Sequence, residues 1–376
     1  MELCRQPLRL LADDLTGALD SAAAFASFAA PVAVGWRGQV PESGAIALDS
    51  GTREASAEEA RASVSAVAPV LFAPGAGLAF KKIDSLLRGQ EAAEIAAILD
   101  LVKPSRCVIA PAFPAQGRVT RHGRQFVQGA GGERPVRVDL ADELAATGHP
   151  VAKARAGEPI PVGTSLWDAV TDADLDAVVA AAADQPGVLW VGSAGLAAAL
   201  ARAAVHGEAF SSEAPLPRPV LGLIGSEHGV TREQLARLGP LHRRLDASRN
   251  DADADLRARL ATDGAVFASV DLPAGTSRRA AAAAIEMRFA DLLAALSPPG
   301  TMIAAGGETL RGVCEALQAT HLDVVGEIMP GVPRSILRGG RWDGVTVVSK
   351  SGAFGGPDLL KQLVADASAA LAGAAA

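Results

Sequence analysis

The chain has 376 residues, 49% of them hydrophobic, which is enough for the cores of two domains. Its net charge of -7 argues against a broad surface for nucleic acid or anionic membranes, and three scattered cysteines form neither a disulfide framework nor a metal-binding spacing. The start lacks a basic and apolar leader and no apolar run is long enough to span a bilayer, so we expect a cytoplasmic protein without nucleic-acid or membrane partners.

The first stretch of interest joins a predicted strand to a predicted helix. The apolar run Leu8–Ala12 stops at two adjacent carboxylates, Asp13 and Asp14. Thr16 and Gly17 then permit a tight turn before an alanine-rich helical pattern. Because ligands of open α/β sheets bind outside the carboxyl ends of strands, these carboxylates are placed to accept hydrogen bonds from sugar hydroxyls, to hold a divalent cation or to take a proton. The alternative is that Asp14 or Thr16 only caps the helix.

Polar residues follow the next predicted strands as well. Strands are predicted at Val32–Gly35 and Ala45–Ser50, and Arg53 comes three residues after the second of them. A further buried strand, Cys107–Ala110, precedes a proline-rich loop with polar side chains at 116–122. A polar group after each successive strand is the pattern expected of a ligand crevice along one edge of a parallel sheet.

The densest group of charges lies in Leu78–Gly89, after an apolar strand and before a helix predicted over about Gln90–Leu101. Its charged residues are Lys81, Lys82, Asp84 and Arg88. Adjacent residues of a strand point to opposite faces, so at most one of the two lysines can face a given pocket. That lysine and Arg88, near a helix N-terminus, suit a carboxylate or phosphate. The alternative is that Lys82 and Arg88 pair with Glu91 or Glu94 on the surface.

The best candidate for a domain boundary is the proline-containing segment 207–219. A helix at Asp172–Ala183, a strand at Gly187–Gly192 and a helix at Leu196–Val205 are predicted before it, whereas the region from 129 to 162 has no clear pattern. The predicted domains are therefore residues 1–206 and 220–376.

The second half repeats a pattern of strand, glycine-bearing turn and helix. A strand at Val220–Ile224 leads into a turn with Ser226, and then into a helix at Thr231–Leu238 that Thr231 is placed to cap. A strand at Thr301–Ala305 runs into four residues that suit phosphate or metal, namely Gly306, Gly307, Glu308 and Thr309.

Two more segments complete the predicted nucleotide half. The segment GEIMPGVP at 326–333 is predicted to be a rigid loop, and a strand at Val345–Val348 leads to a turn with Gly352. Three such turns together are typical of a nucleotide pocket. The sequence nevertheless contains neither a Walker A motif nor a dinucleotide-binding glycine fingerprint.

Seven motifs, in order, make the chain resemble the four-carbon acid sugar kinase family. They are ADDLTGALD, KKIDSLLRG, APAFPAQGR, GSAGLAAAL, GGET, GEIMPGVP and KSGAFG, and they cover almost the whole chain. The resemblance implies an α/β protein of two domains with largely parallel sheets, an acid-sugar-binding domain and a nucleotide-binding domain, and a ligand cleft between them. It implies ATP and an acid sugar such as threonate, erythronate or 3-oxo-tetronate as ligands.

The resemblance also implies roles for individual residues. It assigns Asp13, Asp14, Arg53 and the four residues Lys81, Lys82, Ile83 and Asp84 to the acid. It assigns Ser226, Gly306 to Thr309 and Gly352 to ATP. We therefore predict an ATP-dependent kinase that phosphorylates a hydroxyl of a four-carbon acid sugar.

In that reading, Arg53 and one lysine bind the substrate carboxylate, with Arg88 nearby. Asp13, Asp14 or Asp84 accepts the proton of the attacking hydroxyl, and Asp14 is favoured over Asp84 and Asp13. Mg²⁺ bridges the ATP phosphates, and no metal site formed by protein side chains is predicted. The sequence leaves the oligomeric state open, and a homo-oligomer is one possibility. Two rival hypotheses are a lyase or isomerase of a phosphorylated hydroxy acid, which needs no ATP, and a sensor that binds nucleotide or acid sugar without turnover.

Overall fold

The computed structural model describes residues 6–26, 30–36, 44–129, 131–182, 185–204, 215–248 and 253–365. The chain divides into two units, Met1–Phe210 and Ser211–Ala376. Residues 207–214 of the predicted linker lie outside the described residues, so the linker stays a prediction; Cys4 and the predicted helix ends at 183 and 205 also lie outside. Within the described ranges, no helix has the length and apolarity that a membrane crossing requires.

The short apolar runs of the first unit form strands, and the alanine-rich stretches between them form helices. Its strands are β1 (Leu8–Ala12), β2 (Val32–Trp36), β3 (Ala45–Asp49), β4 (Leu78–Lys82), β5 (Arg106–Ala110), β6 (Arg118–Arg121), β7 (Arg124–Gly129), β8 (Gly132–Pro135), β9 (Val151–Arg155), β10 (Gly163–Asp168) and β11 (Val188–Gly192). Its helices are α1 (Leu15–Ala23), α2 (Ala57–Leu71), α3 (Glu91–Val102), α4 (Leu140–Ala146), α5 (Asp172–Ala181) and α6 (Ala194–Ala204). A short 3₁₀ helix covers Pro114–Gln116.

The main sheet of this unit is parallel, in the order β2-β3-β1-β4-β11-β5-β10-β9. Leu10 in β1 pairs with Ala47 of β3 on one side and with Phe80 of β4 on the other. Strands β6, β7 and β8 form a separate antiparallel sheet. Crossover helices are needed between parallel neighbours, which explains the alternation of strands and helices along the chain.

Helices cover both faces of the main sheet. Helices α2, α3 and α4 share one core with the sheet, in which Val64, Ile95 and Leu144 pack around Leu11 and Ile109. Helices α1 and α5 both contact α6 and form a second group with it. A sheet that is buried on both faces needs continuous apolar runs rather than alternating ones, as in β11, where every residue is buried.

The second unit has the same alternation with a different end. Its strands are β12 (Val220–Ile224), β13 (His242–Asp246), β14 (Ala265–Asp271), β15 (Thr301–Ala305), β16 (His321–Met329), β17 (Val332–Arg338) and β18 (Thr346–Lys350). Its helices are α7 (Gly229–Arg237), α8 (Asp253–Thr262), α9 (Arg278–Ala295) and α10 (Gly307–Ala316), with a further helical stretch at 359–365 and a 3₁₀ helix at Gly239–Leu241. The strand order is β13-β14-β12-β15-β18-β17-β16, of which the first five are parallel.

The structure confirms the predicted class, two α/β domains with largely parallel sheets. It also shows that some local predictions were wrong. Thr16 and Gly17 lie in the first turn of α1 instead of in a tight turn before it. Helix α7 begins at Gly229 and is capped by His228, so Thr231 is a buried residue of the helix and not its cap.

The predicted rigid loop at GEIMPGVP is a β-hairpin. Strands β16 and β17 pair antiparallel around Pro330 and Gly331, with Glu327 opposite Pro333. The prolines suggested a loop because proline cannot donate a ladder hydrogen bond. The segment is extended because β16 pairs with β17, and β17 pairs in turn with β18. The local sequence does not encode these pairings.

Candidate functional site

The first group of predicted residues meets at a topological switch point of the first sheet. From β1 the chain passes to β2 and β3 on one side, and then crosses to β4 on the other side of β1. Ligands of open α/β sheets bind outside the carboxyl ends of strands at such a point. Asp13 and Asp14 follow β1, and Lys82 ends the neighbouring strand β4.

Arg53 connects the carboxylates of this group. Its guanidinium binds both oxygens of Asp13, with Nη2 2.8 Å from Oδ1 and Nε on Oδ2. It also lies 3.3 Å from Asp14 Oδ1 and 3.8 Å from Asp84 Oδ1. The backbone N–H of Arg53 donates to the carbonyl of Asp13 at 3.1 Å, which holds the loop after β3 against the end of β1. One arginine therefore organises three carboxylates that are up to 71 positions apart in sequence, from Asp13 to Asp84.

The three carboxylates have different protonation preferences. Burial acts to raise the pKa of Asp13, but its hydrogen bond with Arg53 and the charges of Arg53 and nearby lysines lower it below its ordinary value. Burial also acts to raise the pKa of Asp84, but the hydrogen bond from Arg88 and the charge of Arg53 outweigh it. The pKa of Asp84 therefore falls to about 2. For Asp14, burial and the charge of Asp13 outweigh the neighbouring cations and raise the pKa. Asp14 is also the most exposed of the three, at 23% against 2% and 9%.

The two lysines of β4 lie on opposite faces, as strand geometry requires. Lys81 Nζ is 2.5 Å from Glu94 Oε2, and both side chains are fully buried. Lys82 Nζ donates to the carbonyl of Ile83 at 3.0 Å. A Cβ placed on Gly17 would lie 2.9 Å from Lys82 Nζ and 2.6 Å from Asp14 Oδ1, so these two groups flank the same point of α1. Lys82 is therefore the lysine beside Asp14.

The remaining predicted residues of the first unit lie around the loop after β4. Arg88 Nη2 is 2.9 Å from Asp84 Oδ1, and the Arg88 side chain is 61% exposed. The predicted alternative, surface pairing of Lys82 and Arg88 with Glu91 or Glu94, is wrong, because Arg88 binds Asp84 and Glu94 binds Lys81 in the core. The Ile83 side chain is buried in the core, and its N–H donates to the carbonyl of Gly192 at 2.9 Å.

Sequence reasoning missed Glu91 as a buried group of this region. Glu91 is 3% exposed and accepts a hydrogen bond from the Gly89 N–H at 3.0 Å. Burial is the main cause that raises the pKa of Glu91 to about 7, and the charges of Asp13 and Asp84 add to it. The available signal in the sequence was the position of Glu91 in the first turn of α3, a helix that is otherwise strongly apolar and therefore expected to be buried.

The predicted nucleotide residues also meet at a switch point. The chain leaves β12 for β13 and β14 on one side and crosses to β15 on the other, so the turns after β12 and β15 are neighbours. Gly306 follows β15 with φ +108°, which favours glycine, and its N–H donates to the carbonyl of Lys350 at 3.1 Å. A Cβ on Gly352 would overlap Ser226 Oγ, so these two residues approach more closely than any other residue type at 352 permits.

A cavity of about 570 Å³ opens beside these turns, within the range of volumes typical of small-molecule sites. Its lining includes Ser226 and all four predicted residues at 306–309. Gly307 and Glu308 lie in the first turn of α10, where backbone N–H groups have no intrahelical partner and suit phosphate. Glu308 is 66% exposed and pairs with Arg311.

Three buried side chains behind the turn that follows β18 were not predicted. Thr231 and Gln234 of α7 are both 0% exposed, and Lys350 at the end of β18 is 1% exposed. Thr231 Oγ1 donates to the carbonyl of Gly352 at 2.6 Å, and Lys350 Nζ lies 3.3 Å from the same hydroxyl oxygen. A polar residue on the buried face of a helix was the only sequence signal for the two α7 residues.

Comparisons with known proteins agree with this division of the chain. A profile described as "Sugar-binding N-terminal domain" matches residues 8–154, and one described as "Nucleotide-binding C-terminal domain" matches residues 221–360. The D-threonate kinase of Bordetella bronchiseptica is 34% identical, over 93% of this chain and 95% of its own. The D-threonate kinase of Cupriavidus necator is also 34% identical, over 92% and 94%.

Two more distant similarities extend the picture. The D-erythronate kinase of Heliobacterium modesticaldum is 27% identical, over 83% of this chain and 84% of its own. The crystal structure of Haemophilus influenzae protein HI1011 superposes with a TM-score of 0.69 at 22% identity, over 95% of this chain and 99% of that one, which shows a shared fold.

An α/β protein that matches sugar-binding and nucleotide-binding profiles and has kinases as full-length relatives is a phosphotransferase. The chain belongs to the four-carbon acid sugar kinase family, which confirms the resemblance found in its motifs.

Proposed function

We propose that this protein transfers the γ-phosphoryl group of ATP to a hydroxyl of a four-carbon acid sugar, and that D-threonate is its preferred acceptor. Both relatives at 34% identity are D-threonate kinases, whereas the D-erythronate and 3-oxo-tetronate kinases are 27% and 28% identical. The proposal for the acid rests on this difference, and the proposal for the reaction rests on the first-unit site.

The raised pKa and the exposure of the Asp14 carboxylate are the observations on which the proposal for the reaction depends. Phosphoryl transfer to an alcohol needs a group that accepts the hydroxyl proton. Asp13 and Asp84 are poor acceptors, because arginines hold them as carboxylates and the pKa of Asp84 falls to about 2. Asp14 has a raised pKa and the most exposed carboxylate, so its oxygen takes the proton while the substrate oxygen bonds to the γ-phosphorus and ADP leaves.

The cations around Asp14 suit the carboxylate of the acid. Arg53 keeps its buried two-point pair with Asp13, but its contacts with Asp14 at 3.3 Å and Asp84 at 3.8 Å are long. A substrate carboxylate can replace such long contacts at little cost, since hydrogen bonds weaken with distance. Lys82 and the exposed Arg88 add positive charge from the neighbouring strand and loop. We assign the acid to these cations.

In the second unit, we assign the ATP phosphates to the turns at Ser226, Gly306 to Thr309 and Gly352. Supporting this, the turns meet at a switch point, and the N-terminus of the ten-residue helix α10 points its free N–H groups at one end of the cavity. Successive backbone N–H groups form anion-binding concavities by themselves. Turns of this kind can therefore bind phosphate without a Walker A lysine.

We propose Mg²⁺ as the cation that accompanies ATP. Within the described residues there is no cluster of three or more His, Cys, Asp or Glu side chains that could hold a metal. Mg²⁺ in kinases needs only one or two carboxylates, because phosphate oxygens and water supply its other ligands. The exposed carboxylate of Glu308 at the cavity fits that requirement. The ion would neutralise charge on the phosphates.

An ADP-release assay over a panel of four-carbon acids tests the proposal. We expect ADP release that requires both ATP and an acid, with the highest kcat/KM for D-threonate, and loss of activity with a chelator that Mg²⁺ restores. ADP release without any acid, or none with every acid in the panel, contradicts the kinase proposal. A higher kcat/KM for another acid contradicts only the choice of D-threonate.

A further inference from the structure

The turn Ser351–Gly356, which follows β18, has its carbonyl groups bound from behind by helix α7. Gln234 Nε2 donates to the carbonyls of Phe354 and Gly356 at 3.1 and 2.9 Å. Thr231 Oγ1 donates to the carbonyl of Gly352 at 2.6 Å. Two side chains one helical turn apart thus bind three carbonyls of one turn, and both are 0% exposed.

The N–H groups of the same turn have a different status. The N–H of Phe354 donates to the carbonyl of Ser351 at 3.1 Å and closes the turn. Among the described residues, the N–H groups of Gly352 and Ala353 have no hydrogen-bond acceptor. Neither residue is buried, and Gly352 lies against Ser226 of the proposed phosphate site. With the carbonyls held by α7, the unpaired donors are the groups left for a ligand.

Lys350 donates a hydrogen bond to the same Thr231 hydroxyl. The carbonyl of Gly352 can only accept, so Thr231 Oγ1 gives its single hydrogen to that carbonyl and accepts from Lys350 Nζ at 3.3 Å through a lone pair. A side chain without a donor at 350 would leave that lone pair unpaired. Burial of an ammonium group with one hydroxyl partner is costly, so stability does not explain its presence here.

We propose that Thr231 and Gln234 are positioning residues for ATP, with Lys350 as the donor to the Thr231 hydroxyl: they hold the carbonyls of Ser351–Gly356 so that the N–H groups of Gly352 and Ala353 meet the nucleotide phosphates. The inference rests on the proposed function, since it names the support of the ATP site. It adds a polar layer that touches no substrate and acts through the backbone of the turn.

The test compares two buried threonines in the same unit. Thr301 is also 0% exposed and its hydroxyl donates to the Pro217 carbonyl at 2.7 Å, but it begins β15, at the end away from Gly306. Thr231→Val and Thr301→Val each remove one buried hydroxyl that donates to one carbonyl. Both should lower the urea midpoint, and Thr231→Val should lower it more, because that substitution also leaves Lys350 Nζ without its partner. Stability therefore cannot separate the two roles, and ADP affinity of the folded variants is the deciding measurement.

The two variants should differ in nucleotide affinity. By calorimetry with ADP, we expect Thr231→Val to raise the Kd at least tenfold and Thr301→Val to change it less than twofold. The KM for ATP should rise with it while the KM for the acid stays within twofold. Thr231→Ser, which keeps the hydroxyl, should restore ADP affinity to within about threefold of the parent.

Equal ADP affinity in Thr231→Val and Thr301→Val overturns the inference. If Thr231→Val does not fold, Gln234→Met takes its place, since methionine has a similar length and no donor; an unchanged Kd for ADP in that variant overturns it equally. A parent protein that binds no ADP contradicts the proposed function itself. A parent that binds ADP and phosphorylates the acid, with variants of undiminished affinity, contradicts the positioning role alone.

Discussion

The carboxylate of Asp14 accepts a hydrogen bond from the backbone N–H of Gly17 at 2.8 Å, which makes Asp14 the N-cap of α1. The cap satisfies one of the N–H groups that a helix start leaves unpaired. It also holds Oδ1 in place, beside Lys82 and Arg53, with the pKa of the carboxyl raised mainly by burial. Asp14 can therefore be both the helix cap and the proton acceptor. A substitution that keeps the cap but removes the basic oxygen tests the catalytic role by itself.

Asp14→Asn makes that separation. Asparagine caps helices about as well as aspartate, so we expect a Tm within a few degrees of the parent. It cannot accept the hydroxyl proton, and loss of a general base costs roughly 10²–10⁴ in rate, so kcat should fall at least about a hundredfold. Thermal unfolding and steady-state kinetics of one preparation check both expectations.

Asp13→Asn is the matched control at the preceding position. Both oxygens of Asp13 bind Arg53, so the amide would turn a donor toward the guanidinium and displace it. We expect a smaller loss of kcat than in Asp14→Asn, a larger rise in the KM for the acid, and a loss of stability of roughly 1–3 kcal/mol. If both variants keep full turnover, Asp84 becomes the candidate for the base.

Arg53→Lys tests the arginine that joins the carboxylates. Lysine keeps the charge but lacks the planar fork that binds both oxygens of Asp13. We expect the KM for the acid to rise more than the KM for ATP, with a loss of stability of roughly 1–3 kcal/mol. Urea titration measures this loss. Arg88→Lys, at an exposed ion pair, should lower the free energy of unfolding by less than about 1 kcal/mol in the same measurement. Kinetics unchanged by Arg53→Lys would remove Arg53 from the acid site.

Gly307→Val tests the phosphate site at the start of α10. The branched side chain would stand in the cavity where we expect backbone N–H groups to meet phosphate. We expect ADP affinity to fall at least tenfold, about 1.4 kcal/mol, while binding of D-threonate is retained. Gly129→Val, where a Cβ meets nothing within 4 Å, is the control for the substitution itself. Undiminished ADP affinity in a folded Gly307→Val would exclude this turn.

Lys350→Met should stabilise the protein. Burial lowers the pKa of Lys350 to about 8 from its ordinary 10.5, so holding the proton at pH 7 costs the folded state roughly 3 kcal/mol. Methionine fills a similar volume without charge. We expect the free energy of unfolding at pH 7 to rise by up to roughly 3 kcal/mol in urea titrations, together with weaker ADP binding.

The same lysine gives the parent a distinctive dependence on pH. Between about pH 8 and 10.5 the unfolded chain still holds the Lys350 proton that the folded protein has released. The unfolded state then binds more protons, so this group makes the free energy of unfolding rise with pH across that window. The rise should be smaller in Lys350→Met, and equal slopes for parent and variant would show that the pKa is not lowered.

Much of the secondary structure was predictable because its causes are local. The strands Val220–Ile224 and Thr301–Ala305 have the predicted bounds, since each is a short apolar run stopped by glycine. The motifs that follow such strands also indicated the family, and the relatives confirm it. Sequence reasoning further placed most candidate residues at strand ends, where a parallel sheet needs its ligands.

The tertiary structure decided which of those residues meet, because contacts between distant positions have no local signature. Only the fold shows that Lys81 serves the core through Glu94 while Lys82 stands beside Asp14. Strand pairing likewise converted the proline-rich segment at 326–333 into a hairpin, against its local preference.

By itself, the sequence determined the alternation of strands and helices, the class of ligand and the family, since apolar period, turn residues and motif order are all short-range properties. The fold alone decided the direction in which the pKa of each carboxyl group shifts, and the support of the turn at Ser351–Gly356. Both depend on burial and on partners such as Arg53 and Thr231, which the chain brings close only by folding.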